Sequence, residues 1–269
     1  MNYCLIIPTL GRKSVLKSIE SALKQSIKPK QIVVVLNSNN NGSFILDKYK
    51  REIELFVNEI PGASNARNLG MEKLNENIDI VAFLDDDDTW LENKMELQIE
   101  FIRNNNLNKE DYWVVSSGAQ VIYPNGQILK RPKKWYETSK SLSRQLYQFS
   151  WKRSSVYLPT PSWIVSRKVA LELKFDSNLH NREDISFLLD IESKNGRIYQ
   201  VNKYLCTVMS DRSRNASREN LKDYFLWIIK LSKTNFMSAL AFATGTGFKT
   251  IASSFIQQIM YWLKIFTSK

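Results

Sequence analysis

Through its first hundred residues the chain alternates unbroken apolar runs with stretches of helical spacing. Residues 3–8 (Tyr-Cys-Leu-Ile-Ile-Pro), 31–36 (Gln-Ile-Val-Val-Val-Leu) and 78–84 (Ile-Asp-Ile-Val-Ala-Phe-Leu) lack the polar alternation of a half-exposed strand. They read as strands covered on both faces. Between the first two, Val15, Leu16, Ile19, Ala22 and Leu23 mark one face of a helix within 12–25. A short helix around 43–51, a strand around 53–57, and helices over 62–74 and 90–104 complete the order. Such βαβα succession predicts a mostly parallel sheet flanked by helices, an α/β fold. Pro124-Asn125-Gly126 between two β-like runs predicts a hairpin within 112–131.

Beyond residue 130 the pattern is less regular. It predicts a helix near 139–150, a strand at 162–165, a short helix over 167–174 and a helix over 183–194 opened by Glu183-Asp184. After residue 218 the chain turns helical and greasy, interrupted at Thr244-Gly245-Thr246-Gly247. Within 248–266 Phe255, Ile259 and Trp262 share one side, and Lys249, Ser253, Gln257 and Lys264 lie mainly opposite. That amphipathic tail suits the surface of an anionic membrane, or packing on protein, better than a membrane span. The expected division is a catalytic body over 1–218, with halves 1–110 and 111–218, and a C-terminal amphipathic region over 219–269.

Composition narrows the chemistry. The 269 residues, 43% hydrophobic, suffice for one large core and exclude intrinsic disorder. Two cysteines form no disulfide framework, and the first sits in an apolar run, which points to a reducing compartment. One histidine, His180, excludes a multi-histidine zinc site, so a metal here would be held by carboxylates. The N-terminal segment lacks the basic start and long apolar run of a signal peptide. The net charge of +11 is concentrated in 130–153 and 212–269, leaving the remainder slightly acidic. Such placement suits a catalytic body with basic contact surfaces, and equally a nucleic-acid binder or a protein resting on anionic lipid.

Three features carry candidate chemistry. Asp85-Asp86-Asp87-Asp88 follows a buried strand, and ligands of open α/β sheets sit at that strand end. Adjacent carboxylates demand a compensating cation, and Mg²⁺ or Mn²⁺ bridges such groups to phosphates. The alternative is a solvated acidic loop with Asp88 capping a helix that starts near Trp90. Gly62-Ala63-Ser64-Asn65-Ala66-Arg67-Asn68-Leu69-Gly70 offers a glycine-led helix start and a planar guanidinium to an anion, unless Arg67 merely pairs with the aspartates. Glu183-Asp184 is a candidate general base, or an ordinary acidic helix start.

In order, Ile6-Ile7-Pro8-Thr9-Leu10-Gly11-Arg12, Gly62…Arg67-Asn68-Leu69-Gly70, Phe83-Leu84-Asp85-Asp86-Asp87-Asp88-Thr89-Trp90 and Phe175-Asp176…Glu183-Asp184 resemble the family 2 glycosyltransferases over roughly 1–210. The resemblance implies the GT-A fold, a nucleotide-sugar donor, a divalent metal and inversion at the anomeric carbon. It places Thr9, Arg67 and Asp85 on the donor, Asp87 on the metal (Mn²⁺ or Mg²⁺) and Asp184 as catalytic base; Asn37, in place of the family's acid, and Asp86 are further donor-binding candidates. It also implies a glycan or lipid-linked acceptor in bacterial surface-polysaccharide synthesis. The expected location is cytoplasmic, at the inner face of the cell membrane, with UDP as the expected nucleotide and no nucleic acid as partner.

Three departures stand out. Leu36-Asn37-Ser38-Asn39 has no carboxylate where relatives read the base, Leu10-Gly11 replaces a Tyr-Asn pair, and Asp190 replaces an arginine. Arg212 and Arg214 are candidates to close over a diphosphate, or a solvated basic loop. A sugar nucleotidyltransferase fits less well, because Pro8-Thr9-Leu10-Gly11 has a single glycine. A nonenzymatic nucleic-acid binder remains the rival from another class.

Overall fold

The computed structural model describes residues 1–37, 42–146, 156–179, 181–210, 221–234 and 239. His180, Arg212, Arg214 and the tail 248–266 lie outside the described residues. The strands are β1 (Tyr3–Thr9), β2 (Gln31–Asn37), β3 (Glu54–Asn58), β4 (Ile80–Phe83), β5 (Thr89–Trp90), β6 (Trp113–Ile122), β7 (Ile128–Arg131), β8 (Ile164–Ser166) and β9 (Arg197–Met209). The helices are α1 (Val15–Leu23), α2 (Ala63–Glu72), α3 (Lys94–Asn104), α4 (Leu142–Leu146), α5 (Arg167–Glu172), α6 (Glu183–Ser193) and α7 (Leu221–Thr234). Tight 3₁₀ turns cover Gly42–Tyr49 and Thr160–Ser162.

All described strands join one sheet in the order β3-β2-β1-β4-β8-β6-β9-β5, with β7 on the edge of β6. Pairing is parallel from β3 through β4 and between β6 and β9. It is antiparallel where β8 bridges β4 and β6, and where β5 meets β9. The expected α/β architecture, a sheet flanked by helices, is borne out. Its register places Ile6 beside Val33 on one side and Phe83 on the other.

The unbroken apolar runs follow from two covered faces. Ile6, Val33, Val35 and Phe83 point to one core, filled by Ala66 and Met71 of α2, Val169 of α5 and Phe187 to Leu189 of α6. Leu5, Ile7 and Val34 point to the other, filled by Val15 and Ile19 of α1 and Met95 and Ile99 of α3. Trp227 and Leu231 of α7 lie fully buried in the first core. Gly70 permits α2 to approach β1 closely, since a Cβ there would stand 2.5 Å from Ile6 Cγ2.

One expectation needs correction, and one strand has no counterpart in the sequence reading. Trp90 does not open a helix; it is a strand residue paired with Cys206, and α3 begins four residues later. Its ring is buried and its indole N–H donates to the Pro161 carbonyl at 2.7 Å, contacts that helical periodicity cannot foretell. The long strand β9 was not anticipated, because a register shift opposite Ser117 to Ala119 breaks its alternation. Cys4 and Cys206 are both free and buried.

Candidate active site

The chain runs from β1 to β2 and β3 on one side, then returns to β4 on the other, so the C-terminal end of β1 lies at a switch in strand order. Ligands of α/β sheets bind at such points. Thr9, Asn37 and the Asp85 run end β1, β2 and β4 respectively, so the parallel register brings all three to one sheet edge.

Asp86 organises the first loop. Its Oδ2 accepts from Thr9 Oγ1 at 2.8 Å, from the Leu10 backbone N–H at 3.2 Å and from Arg12 Nε at 3.3 Å. Arg12 Nη2 also pairs with Asp86 Oδ1. Asp86 is almost wholly buried by these contacts. Arg12 Nη1 stands 3.8 Å from Asp87 Oδ2 as well, so one guanidinium serves two carboxylates.

The other two carboxylates differ. Asp87 is part-exposed; burial raises its pKa, Arg12 opposes this, and Asp86 and Asp85 add to the rise. Asp88 does not cap a helix: it accepts from the Met209 backbone N–H at 2.8 Å, and α3 has Asn93 at its cap. Burial, reinforced by Asp85, pushes Asp88 up to about 9.

Arg67 joins the two halves of the site. Only 4% exposed, it donates from Nη2 to Asp85 Oδ1 at 2.7 Å, and its Nη1 stands 3.8 Å from Glu183 Oε1. Its guanidinium carbon lies 5.3 Å from the Phe175 ring centroid. Nε and Nη1 donate no hydrogen bond among the described residues. Burial alone would favour loss of its proton, yet Asp85 and Glu183 outweigh it and raise the pKa. Asn68 holds the neighbouring loop, exchanging hydrogen bonds of 2.9 and 2.8 Å with the backbone of Phe175.

The acid pair opens α6. Asp184 Oδ1 accepts from the Ile185 N–H at 2.7 Å. Burial raises the pKa of both carboxyls, with mutual repulsion next for Glu183; Arg67 opposes the rise in each. Asn37 is buried, and its side-chain oxygen accepts from Asn58 Nδ2 at 3.1 Å. Asp190, at the position where an arginine was expected, pairs with Lys230 of α7 at 2.8 Å.

Thr9, Arg67 and the aspartates therefore converge with Glu183 and Asp184, although a hundred residues separate the groups in sequence. Sequence reasoning gives no role to Arg12, Asn68 or Phe175. All three lie within or beside the motifs quoted above, but their partners are distant in the chain.

Comparison with known proteins identifies the family. The profile described as "Glycosyl transferase family 2" matches residues 4–173. The chain belongs to that family. Family 2 relatives include the UDP-Glc:alpha-D-GlcNAc-diphosphoundecaprenol beta-1,3-glucosyltransferase WfgD of Escherichia coli, 33% identical over 39% of this chain and 42% of the relative. Another is the putative teichuronic acid biosynthesis glycosyltransferase TuaG of Bacillus subtilis, 24% identical over 87% of this chain and 90% of the relative. Among solved structures, S. aureus TarS 1–349 in complex with UDP-GlcNAc superposes with a TM-score of 0.66 at 17% identity, covering 92% of this chain and 71% of that TarS 1–349 chain. That likeness identifies the fold as GT-A. The chain spans 26%, 57% and 42% of the length of three curated relatives it matches, and nearly the whole of TuaG.

Proposed function

We propose that this family 2 chain is an inverting glycosyltransferase that moves a sugar from a UDP-sugar to a hydroxyl of a glycan or lipid-linked acceptor. The observation that carries the reading is Arg67: a buried guanidinium linking Asp85, at the donor end of the sheet, to the acid pair of α6. Its Nε and Nη1, which find no hydrogen-bond acceptor among the described residues, suit an anionic or oxygen-rich ligand. UDP-Glc appears in the name of the E. coli relative and UDP-GlcNAc in the TarS complex, which favours a uridine donor. Asn37, whose oxygen is held by Asn58, offers its N–H groups to the carbonyls of a pyrimidine.

On this reading Thr9 and Asp85 contact the nucleoside. Asp86 serves the donor indirectly by holding Thr9 and Arg12 in place. Asp184 takes the proton of the acceptor hydroxyl as its oxygen attacks the anomeric carbon opposite the diphosphate. The C1–O bond breaks, its electron pair leaves with UDP, and one in-line displacement inverts the configuration. Arg67 favours the ionised form of Asp184, and the Ile185 N–H fixes its orientation.

The acid run fits a divalent cation. Asp87 is part-exposed and offers hard oxygen donors, with Arg12 Nη1 at 3.8 Å. Asp87, with the diphosphate, would hold Mn²⁺ or Mg²⁺. When bound, such an ion stabilises the negative charge that develops on the leaving diphosphate.

Surface-polysaccharide synthesis in the cytoplasm, at the inner face of a bacterial membrane, is the proposed setting. The named relatives and the basic, amphipathic stretch 248–266 support it. Among the described residues no helix is long and apolar enough to cross a membrane. The decisive experiment is Asp184→Asn: sugar transfer from UDP-glucose or UDP-GlcNAc should be abolished while UDP affinity stays within about threefold. Retained turnover would remove Asp184 from the role of base.

A further inference from the structure

Helix α6 opens on a residue whose backbone is disfavoured. Arg182, its N-cap, has φ 65° and ψ 18°, the left-handed conformation that glycine adopts freely and a residue with a Cβ does not. The Arg182 carbonyl accepts from the Ser186 N–H at 2.8 Å and so closes the first helical turn. Glu183 and Asp184 are the next two residues, and the turn at Arg182 sets the direction of both carboxylates.

That turn is held from α7. The Arg182 guanidinium lies over the Trp227 ring, 5.8 Å from its centroid, and Trp227 is fully buried. Three and four residues on, along the same face of α7, Lys230 pairs with Asp190 of α6, and Leu231 is buried in the core that holds Phe187 and Leu188. Helix α7 is therefore seated along the helix that carries the acid pair, although it follows the matched segment 4–173 by nearly fifty residues.

We infer that Trp227 is a positioning residue for sugar transfer: through Arg182 it holds the left-handed turn that aims Glu183 and Asp184 at Arg67. The consequence for turnover rests on Asp184 being the base. The clamp itself does not.

The test compares the full chain with Trp227→Leu, which keeps apolar bulk but removes the ring. Hydrogen exchange of the backbone amides over 183–187 should accelerate at least tenfold. Turnover of UDP-glucose with water as acceptor should fall at least tenfold in kcat, with KM changed less than threefold and UDP affinity by calorimetry within twofold. Adding Arg182→Gly to Trp227→Leu should restore both exchange and kcat, because glycine holds that turn without a stacked partner. A mere loss of packing would not be rescued by glycine. Native exchange over 183–187 in Trp227→Leu, or no recovery in the double variant, overturns the inference. If Trp227→Leu does not fold, Arg182→Ala and Arg182→Gly decide instead. Alanine should speed exchange and glycine should not, and equal behaviour of the two overturns the clamp. A parent protein that never turns over UDP-glucose or UDP-GlcNAc would count against the proposed activity, while the exchange measurements still decide the clamp.

Discussion

Arg67 and Asp85 are joined by a 2.7 Å charge-assisted hydrogen bond between the helix after β3 and the loop after β4. The guanidinium is nearly inaccessible, yet two of its nitrogens, Nε and Nη1, are left without an acceptor among the described residues. Unsatisfied buried donors are costly, so they mark a place where a ligand oxygen restores what water has lost.

Arg67→Lys should therefore weaken donor binding more than it weakens the fold. Lysine keeps a charge for Asp85 but loses the planar fork that also faces Glu183. Losing one charge-assisted hydrogen bond, about 1.5–3 kcal/mol, corresponds to roughly ten- to hundredfold in Kd for UDP. Calorimetry with UDP checks this, and an unchanged Kd would place the donor away from Arg67.

Much of this site was legible in sequence, and the limits have a physical cause. The parallel strands were readable because residues covered on both faces form runs such as Ile32 to Leu36. The Asp85 run was readable because strand ends in α/β sheets carry function. The Arg12–Asp86 and Arg67–Glu183 pairings were not, since each depends on register and helix placement that bring residues from 74 to 116 positions apart together. Trp90 was misplaced because a two-residue strand has no period of its own, and only its partner Cys206 defines it.

Asp87→Ala and Asp86→Asn should fail in different ways. Asp87 is part-exposed and 3.8 Å from Arg12, so its loss should abolish any Mn²⁺-dependent gain in UDP affinity while melting changes little. Asp86 is occupied by Thr9, Leu10 and Arg12, so its amide should lower the melting temperature and weaken UDP binding with or without Mn²⁺. Calorimetry with UDP at fixed Mn²⁺ and with chelator separates the two. Identical behaviour would mean that the two carboxylates are not divided in this way.

The pH profile of turnover should show its acidic limb above the ordinary carboxylate range near 4. Burial raises both Asp184 and Glu183, and a base must be ionised to work. Activity is thus lost as pH falls through that raised pKa. Because Arg67 opposes the rise, Arg67→Met should move the limb to still higher pH among whatever turnover remains. A limb at the usual carboxylate position, unmoved by Arg67→Met, would show that neither acid limits the reaction.

Lys94 should give the fold an unusual dependence on alkaline pH. It is fully buried, with its ammonium 4.1 Å from the Trp90 ring centroid and 3.8 Å from Met95 Sδ. Burial brings its pKa down to about 7, against the opposing pull of Cys206. An unfolded lysine keeps its proton to about 10.4. Between these values the unfolded chain binds a proton that the folded chain does not, so this group makes stability rise with pH across the window. Below pH 7 both states are protonated, and the cost of the buried charge is felt in full. Lys94→Met keeps the unbranched chain and removes the charge. It should stabilise the protein at pH 6 by on the order of a few kcal/mol, since each pKa unit is worth about 1.4 kcal/mol. It should also flatten the rise between pH 7 and 9. Urea unfolding of parent and variant at pH 6, 7.5 and 9 measures both quantities. Parallel pH profiles would mean that the ammonium finds water in the folded state, and a less stable variant at pH 6 would mean that its contact with Trp90 outweighs the cost of burial.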